Sequence, residues 1–108
     1  MRGRARAKAK QVAKLAELRA ALIAVGFDTA RKQAAALGLN PSTAWSLLHR
    51  DTRAGPSAII IKRILSSPKL PASARRKVEE YVREKSRGLY GHSERRSNTF
   101  ADQFPDLT

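Results

Sequence analysis

Apolar residues in this chain recur at intervals of three and four, and no stretch alternates apolar with polar at a period of two. A chain patterned this way hides its apolar side as helices rather than strands. β-Branched residues are scarce outside Ile59, Ile60 and Ile61. Leu15, Leu18, Leu22 and Val25 mark a first helix over about residues 10–25, with Gly26 as its stop. Asp28 or Thr29 caps a second helix that runs through Leu37 to Gly38. Asn40 followed by Pro41 starts a third, because the Asn side chain accepts an orphan amide and Pro41 loses no hydrogen bond there. That helix reaches about His49, and the polar stretch 51–56 separates it from a fourth helix capped by Ser57. A fifth carries Val78, Tyr81 and Val82 and stops at Gly88. Residues 89–108 show no periodicity, which predicts a mostly disordered tail. The expected fold class is therefore all-α, a compact bundle of about five short helices.

With 108 residues there is room for one domain. Twenty-two Lys and Arg against nine Asp and Glu leave a net charge of +13, for which a polyanionic partner is the natural explanation. The charge divides unevenly. Residues 1–14 hold six basic residues and no acid, residues 15–88 hold 14 basic and six acidic, and residues 89–108 hold two against three. We read residues 1–10 as a basic flexible arm in which Arg2, Arg4, Arg6, Lys8 and Lys10 track phosphates, residues 11–88 as the folded domain, and residues 89–108 as the tail.

Several function classes are disfavoured at this level. With no cysteine there is no disulfide scaffold, thiolate metal site or cysteine nucleophile, and a reducing compartment fits. Two isolated histidines make no metal site, and no cofactor is implied. Paired carboxylates and Ser-His-Asp arrangements are absent beyond chance spacing, which argues against an enzyme. His49-Arg50-Asp51 matches a kinase catalytic loop by coincidence, in a chain far too short and without a glycine-rich loop. The longest apolar stretch of the N-terminal half, Ala20 to Val25, is six residues, against about 20 for a membrane span. Lys14, Glu17 and Arg19 break up what would follow the basic region of a signal peptide.

The informative stretch is TARKQAAALGLNPSTAWSLL, residues 29–48. Ala34, Leu37, Gly38, Leu39, Ala44 and Leu47 have the small and apolar spacing of two helices meeting through a tight turn, a helix-turn-helix. The outward face of the second helix then carries Asn40, Pro41, Ser42, Trp45, Ser46 and His49, while Arg31, Lys32, Arg50 and Arg53 flank it as phosphate contacts.

These residues resemble the lambda-repressor-like family of helix-turn-helix DNA-binding domains, over about residues 10–85. AAALGL, STAWSLL and the buttressing AIIIKRIL carry the resemblance, and ASARRKVEEYV is similar to the third helix of lac-repressor-type headpieces. Gln33 stands where the motif usually buries an aliphatic residue, and Ala44 is smaller than the usual Val or Ile. A second register around Gly55 would put Asp51 at the close crossing and Pro56 in the turn, and is rejected. The resemblance implies a bacterial or phage transcriptional regulator, placed in the cytoplasm at the nucleoid, that binds double-stranded DNA as a homodimer. It implies base-edge contacts for Ser42, Trp45 and Ser46, a phosphate contact for Thr43, and a DNA-wrapping role for RGRARAKAK. By analogy Val78, Tyr81 and Val82 form a candidate dimer surface. Two other readings stay open. One is a non-specific nucleoid, architectural or RNA-binding protein, and the other is a degenerate helix-turn-helix that binds a regulatory protein.

Overall fold

The computed structural model describes the backbone of residues 2–49 and 55–108, with side chains from residue 6 onward. Among the described residues there are six helices and no strand. They are α1 (Arg2–Ala24), α2 (Ala30–Leu37), α3 (Pro41–His49), α4 (Ala58–Leu65), α5 (Ala72–Ser86) and α6 (Glu94–Ala101). The radius of gyration is 13.2 Å, the size expected of about 100 residues in one close-packed unit.

Local chemistry sets the helix ends. Thr29 and Ser57 accept the Lys32 and Ile60 amides as N-caps. At the end of α2, Gly38 donates to Ala35 O and Leu39 to Ala34 O, the paired bonds of a Schellman motif, with Gly38 at φ 69°. The same pair of bonds closes α1 at Phe27 and α5 at Leu89. Helix α5 packs against both α1 and α6. The core draws Leu15, Leu18 and Leu22 from α1, Leu37 from α2, Leu47 and Leu48 from α3, Ile61 and Ile64 from α4, and Val78 and Val82 from α5.

Three expectations are corrected. First, residues 2–10 are not a separate arm but the first turns of α1. Alanine, arginine and lysine are among the strongest helix formers, and no breaker follows Gly3. The Gly91 backbone also crosses close to this segment, so that a Cβ there would lie 3.1 Å from the Ala7 methyl. Second, residues 89–108 are folded. Their aromatics were too widely spaced to show as a periodic stripe, yet Tyr90, Phe100 and Phe104 are all buried. Tyr90 stacks on Tyr81 at 5.1 Å, Phe100 meets Tyr81 edge-on at 6.5 Å, and Phe104 lies 5.0 Å from Phe100. Ser93 caps α6 by accepting the Arg96 amide. Third, Val78, Tyr81 and Val82 are not a surface. They are buried because α1 and α6 both cover α5.

Two measurements check this account. Gly38→Ala should cost about 1–2 kcal/mol of stability, since a side chain at positive φ is strained and its Cβ would sit 3.2 Å from Ser67 Cβ. Chemical denaturation reads this, and an unchanged midpoint would contradict the turn. Phe100→Ala should cost about 3 kcal/mol, lowering the melting temperature by on the order of 10 °C. A disordered tail would show no change.

Candidate nucleic-acid interface

The three residues Gly38, Leu39 and Asn40 join α2 to α3. Leu39 turns inward, and the Asn40 Oδ1 accepts the Thr43 amide at 2.8 Å, so the cap predicted at Asn40-Pro41 is formed. Ala34, Leu37, Ala44 and Leu47 are buried, as their spacing required. Gln33, in a position suited to an aliphatic residue, is buried too, and its Nε2 donates to Phe27 O at 3.1 Å. The unusual polar residue thus ties α2 to the end of α1. On the far side, Ser67 Oγ donates to Ala36 O at 2.7 Å, which holds the last turn of α2 against the end of α4. Sequence reading missed Ser67, because nothing in SSP distinguishes a buried anchor from an ordinary loop serine.

The outward side of α3 carries the expected side chains. Asn40, Pro41, Ser42 and His49 are exposed, while Thr43 and Ser46 are half-buried. Trp45 is 49% exposed and lies one helical turn from His49, with the two rings stacked at 5.0 Å and 24°. A tryptophan held in the core is therefore ruled out. Arg31 and Lys32 are exposed on α2, and Lys32 reaches Asp28 at 3.3 Å in a surface pair of little strength. Arg6, Lys8 and Lys10 are exposed on α1. The side chains of Arg2 and Arg4, and the whole of Arg50 and Arg53, lie outside the described residues.

Other cations are engaged within the fold. Arg75 donates to Leu65 O at 2.8 Å, satisfying a carbonyl at the end of α4. Lys14 lies 2.8 Å from Glu80, 3.1 Å from Glu84 and 3.6 Å from Glu17, and Lys77 lies 2.9 Å from Glu17. Burial opposes the Lys14 charge, but the hydrogen bonds that Lys14 donates to Glu80 and Glu84 outweigh it and hold the ammonium above its ordinary value. Hydrogen bonds from Lys77 and Lys14 hold the Glu17 and Glu80 carboxyls, respectively, below theirs. This seam sets two lysines against three glutamates, so it is itself net negative and the surplus positive charge lies elsewhere.

Among the described residues, no group of three His, Asp or Glu is placed to hold a metal ion, and no helix is long and apolar enough to cross a membrane. Comparison with protein-family models, curated proteins and solved structures returns no match. The class the fold defines is an all-α globule with an exposed, uncharged helix face on a strongly basic body.

The seam has a pH signature. A carboxyl held low in the fold adds stability above its unfolded value, and that stability disappears as pH falls through the folded value. The melting temperature should therefore drop on acidification below pH 4.5, the ordinary glutamate value. Glu80→Gln should make that drop shallower, and identical pH profiles for the two proteins would contradict the seam.

Proposed function

We propose that this chain is a DNA-binding regulator that sets α3 in the major groove and clamps phosphates with Arg31, Lys32 and the basic first turns of α1. The observation that carries the reading is the outward face of Ser42, Trp45 and His49, all exposed, with the half-buried Ser46 among them, presented after a tight Gly38 turn on a chain of net charge +13. A major groove about 12 Å wide admits a helix, and two serines, an imidazole and an indole edge can meet base edges and thymine methyls without a charge to bury. Helix-turn-helix geometry and a nucleoid setting belong to this proposal. So does a homodimer on paired half-sites about one helical turn apart, which would need a surface other than Val78, Tyr81 and Val82.

A second reading, duplex binding with little base preference, is favoured by one observation. The Asn40 side chain is turned back onto the Thr43 amide, a duty that competes with the bidentate adenine contact an Asn makes, and no Arg, Gln or Lys stands on the centre of the face.

Trp45 is the single tryptophan and reports directly. Duplex DNA should change its emission, and log K against log salt should slope near −5 if about six phosphates are neutralised. Trp45→Ala should weaken binding by about tenfold. A flat salt titration, or an emission unmoved by saturating duplex, overturns the proposal. Selection from a random duplex library separates the readings, since an enriched motif supports the first and uniform recovery the second.

A further inference from the structure

The first residue of the isoleucine run has no place in the core. Ile60 is half-buried and Ile61 buried, but Ile59 is 67% exposed. It lies on the wall of a groove of about 740 Å³ between the start of α4 and the side of α6, within the range of about 300–1,000 Å³ typical of small-molecule sites. Pro56, Ala58, Ile59 and Phe100 make the groove mainly apolar. Lys85, Arg95 and Arg96 bring three basic side chains to the same space, and among the described residues no carboxylate lines it. Helices α4 and α6 both begin there, with Ser57 and Ser93 on the lining, so two positive dipole ends add to the cations.

Lys85 is the least expected of these residues. It is only 7% exposed, and its Nζ donates to Pro56 O at 3.2 Å while lying 4.6 Å from the centre of the Phe100 ring. Burial pushes this ammonium down to about 8. A lysine kept beside an aromatic floor under that penalty gains more from a nearby anion than a surface lysine does, because the low dielectric strengthens the attraction. A phosphate backbone, hydrated along its length, has no use for the apolar wall of Ile59, Ala58 and Phe100. A compact molecule with an acidic head and an apolar body matches both halves.

We propose that this groove binds a small organic anion, with its acid head toward Arg95, Arg96 and Lys85 and an aromatic or branched apolar body against Ile59 and Phe100. The groove shares no lining residue with the α3 face, so it would take its ligand whether or not that face contacts DNA.

Phenyl phosphate and benzoate serve as probes, with inorganic phosphate and benzyl alcohol as their head-only and body-only controls. Amide NMR titration of the full chain should show saturable shifts over residues 55–59 and 92–100 with at least one of the two probes. Either control should bind at least tenfold more weakly. Arg95→Gln and Arg96→Gln, both on the exposed side of α6, should each weaken the probe at least fivefold with unchanged melting temperature. Ile59→Ser should weaken the probe but not inorganic phosphate. Inorganic phosphate binding as tightly as the probes, shifts scattered over every basic helix, or affinity indifferent to these three substitutions overturns the proposal. So does a short DNA duplex that perturbs the groove residues more than it perturbs α3, which would make the groove a nucleic-acid contact.

Discussion

The hydroxyl of Tyr81 is the point on which this small fold turns. It donates to Gln11 Oε1 at 2.8 Å in a place closed to solvent, and Lys85 Nζ donates to the Tyr81 hydroxyl oxygen at 3.5 Å. A buried phenol or amide without a partner would cost about 1–3 kcal/mol, so α1 and α5 have one favourable register, the one that brings these groups together. Burial holds the phenol above its ordinary value, keeping it a donor. Gly55 completes the arrangement, because a Cβ there would collide with both the Gln11 amide oxygen and the Tyr81 hydroxyl. Lys85 fixes the next residue through Pro56 O, and the rings of Tyr90 and Phe100 cover Tyr81 from the other side. Four parts of the chain, at residues 11, 55–56, 81–85 and 90–100, therefore depend on one side chain.

The α2–α3 pair stands outside this node and is held differently. Its anchors are apolar burial and two side-chain bonds to backbone carbonyls, Gln33 to Phe27 and Ser67 to Ala36. Both bonds lie behind or below α2, and neither uses a residue of the outward α3 face. Polar groups on that face consequently have few duties within the fold, apart from the Asn40 cap. Ser42, Trp45 and His49 can meet a partner without loosening the core, and the Trp45–His49 stack limits how far either ring wanders.

What the sequence made legible follows from the range of the physics involved. Caps and stops act over three to five residues, so Thr29, Gly38, Asn40 and Ser57 were readable and proved to be caps or turns. Helical periodicity likewise located α2 to α5. Long-range contacts were not readable. Gln11 and Tyr81 are seventy residues apart, and neither side chain announces a partner from its own neighbourhood. The folding of the tail is illegible for the same reason, since three aromatics at 90, 100 and 104 make no stripe but together cover one side of α5. The apolar stripe of Val78, Tyr81 and Val82 does lie along one helix, but α1 and α6 cover it in place of a second copy. Spacing shows that a face is apolar, while what covers it depends on chain far away.

Charge is distributed by the same division between node and periphery. Three of the nine acidic residues gather in the α1–α5 seam, where Lys14 and Lys77 answer them. Between Asp28 and Asp51 there is no acidic residue at all, and before Glu17 there is none either. Exposed charges are screened within about 8 Å at physiological ionic strength, and from Thr29 to Arg50 the sequence holds cations with no carboxylate interleaved to offset them. A uniform mixture of the same residues would carry the same +13 and attract polyanions to every side. Setting three carboxylates where they bind α1 to α5, rather than between residues 29 and 50, makes the surplus positive charge uneven along the chain instead of evenly mixed.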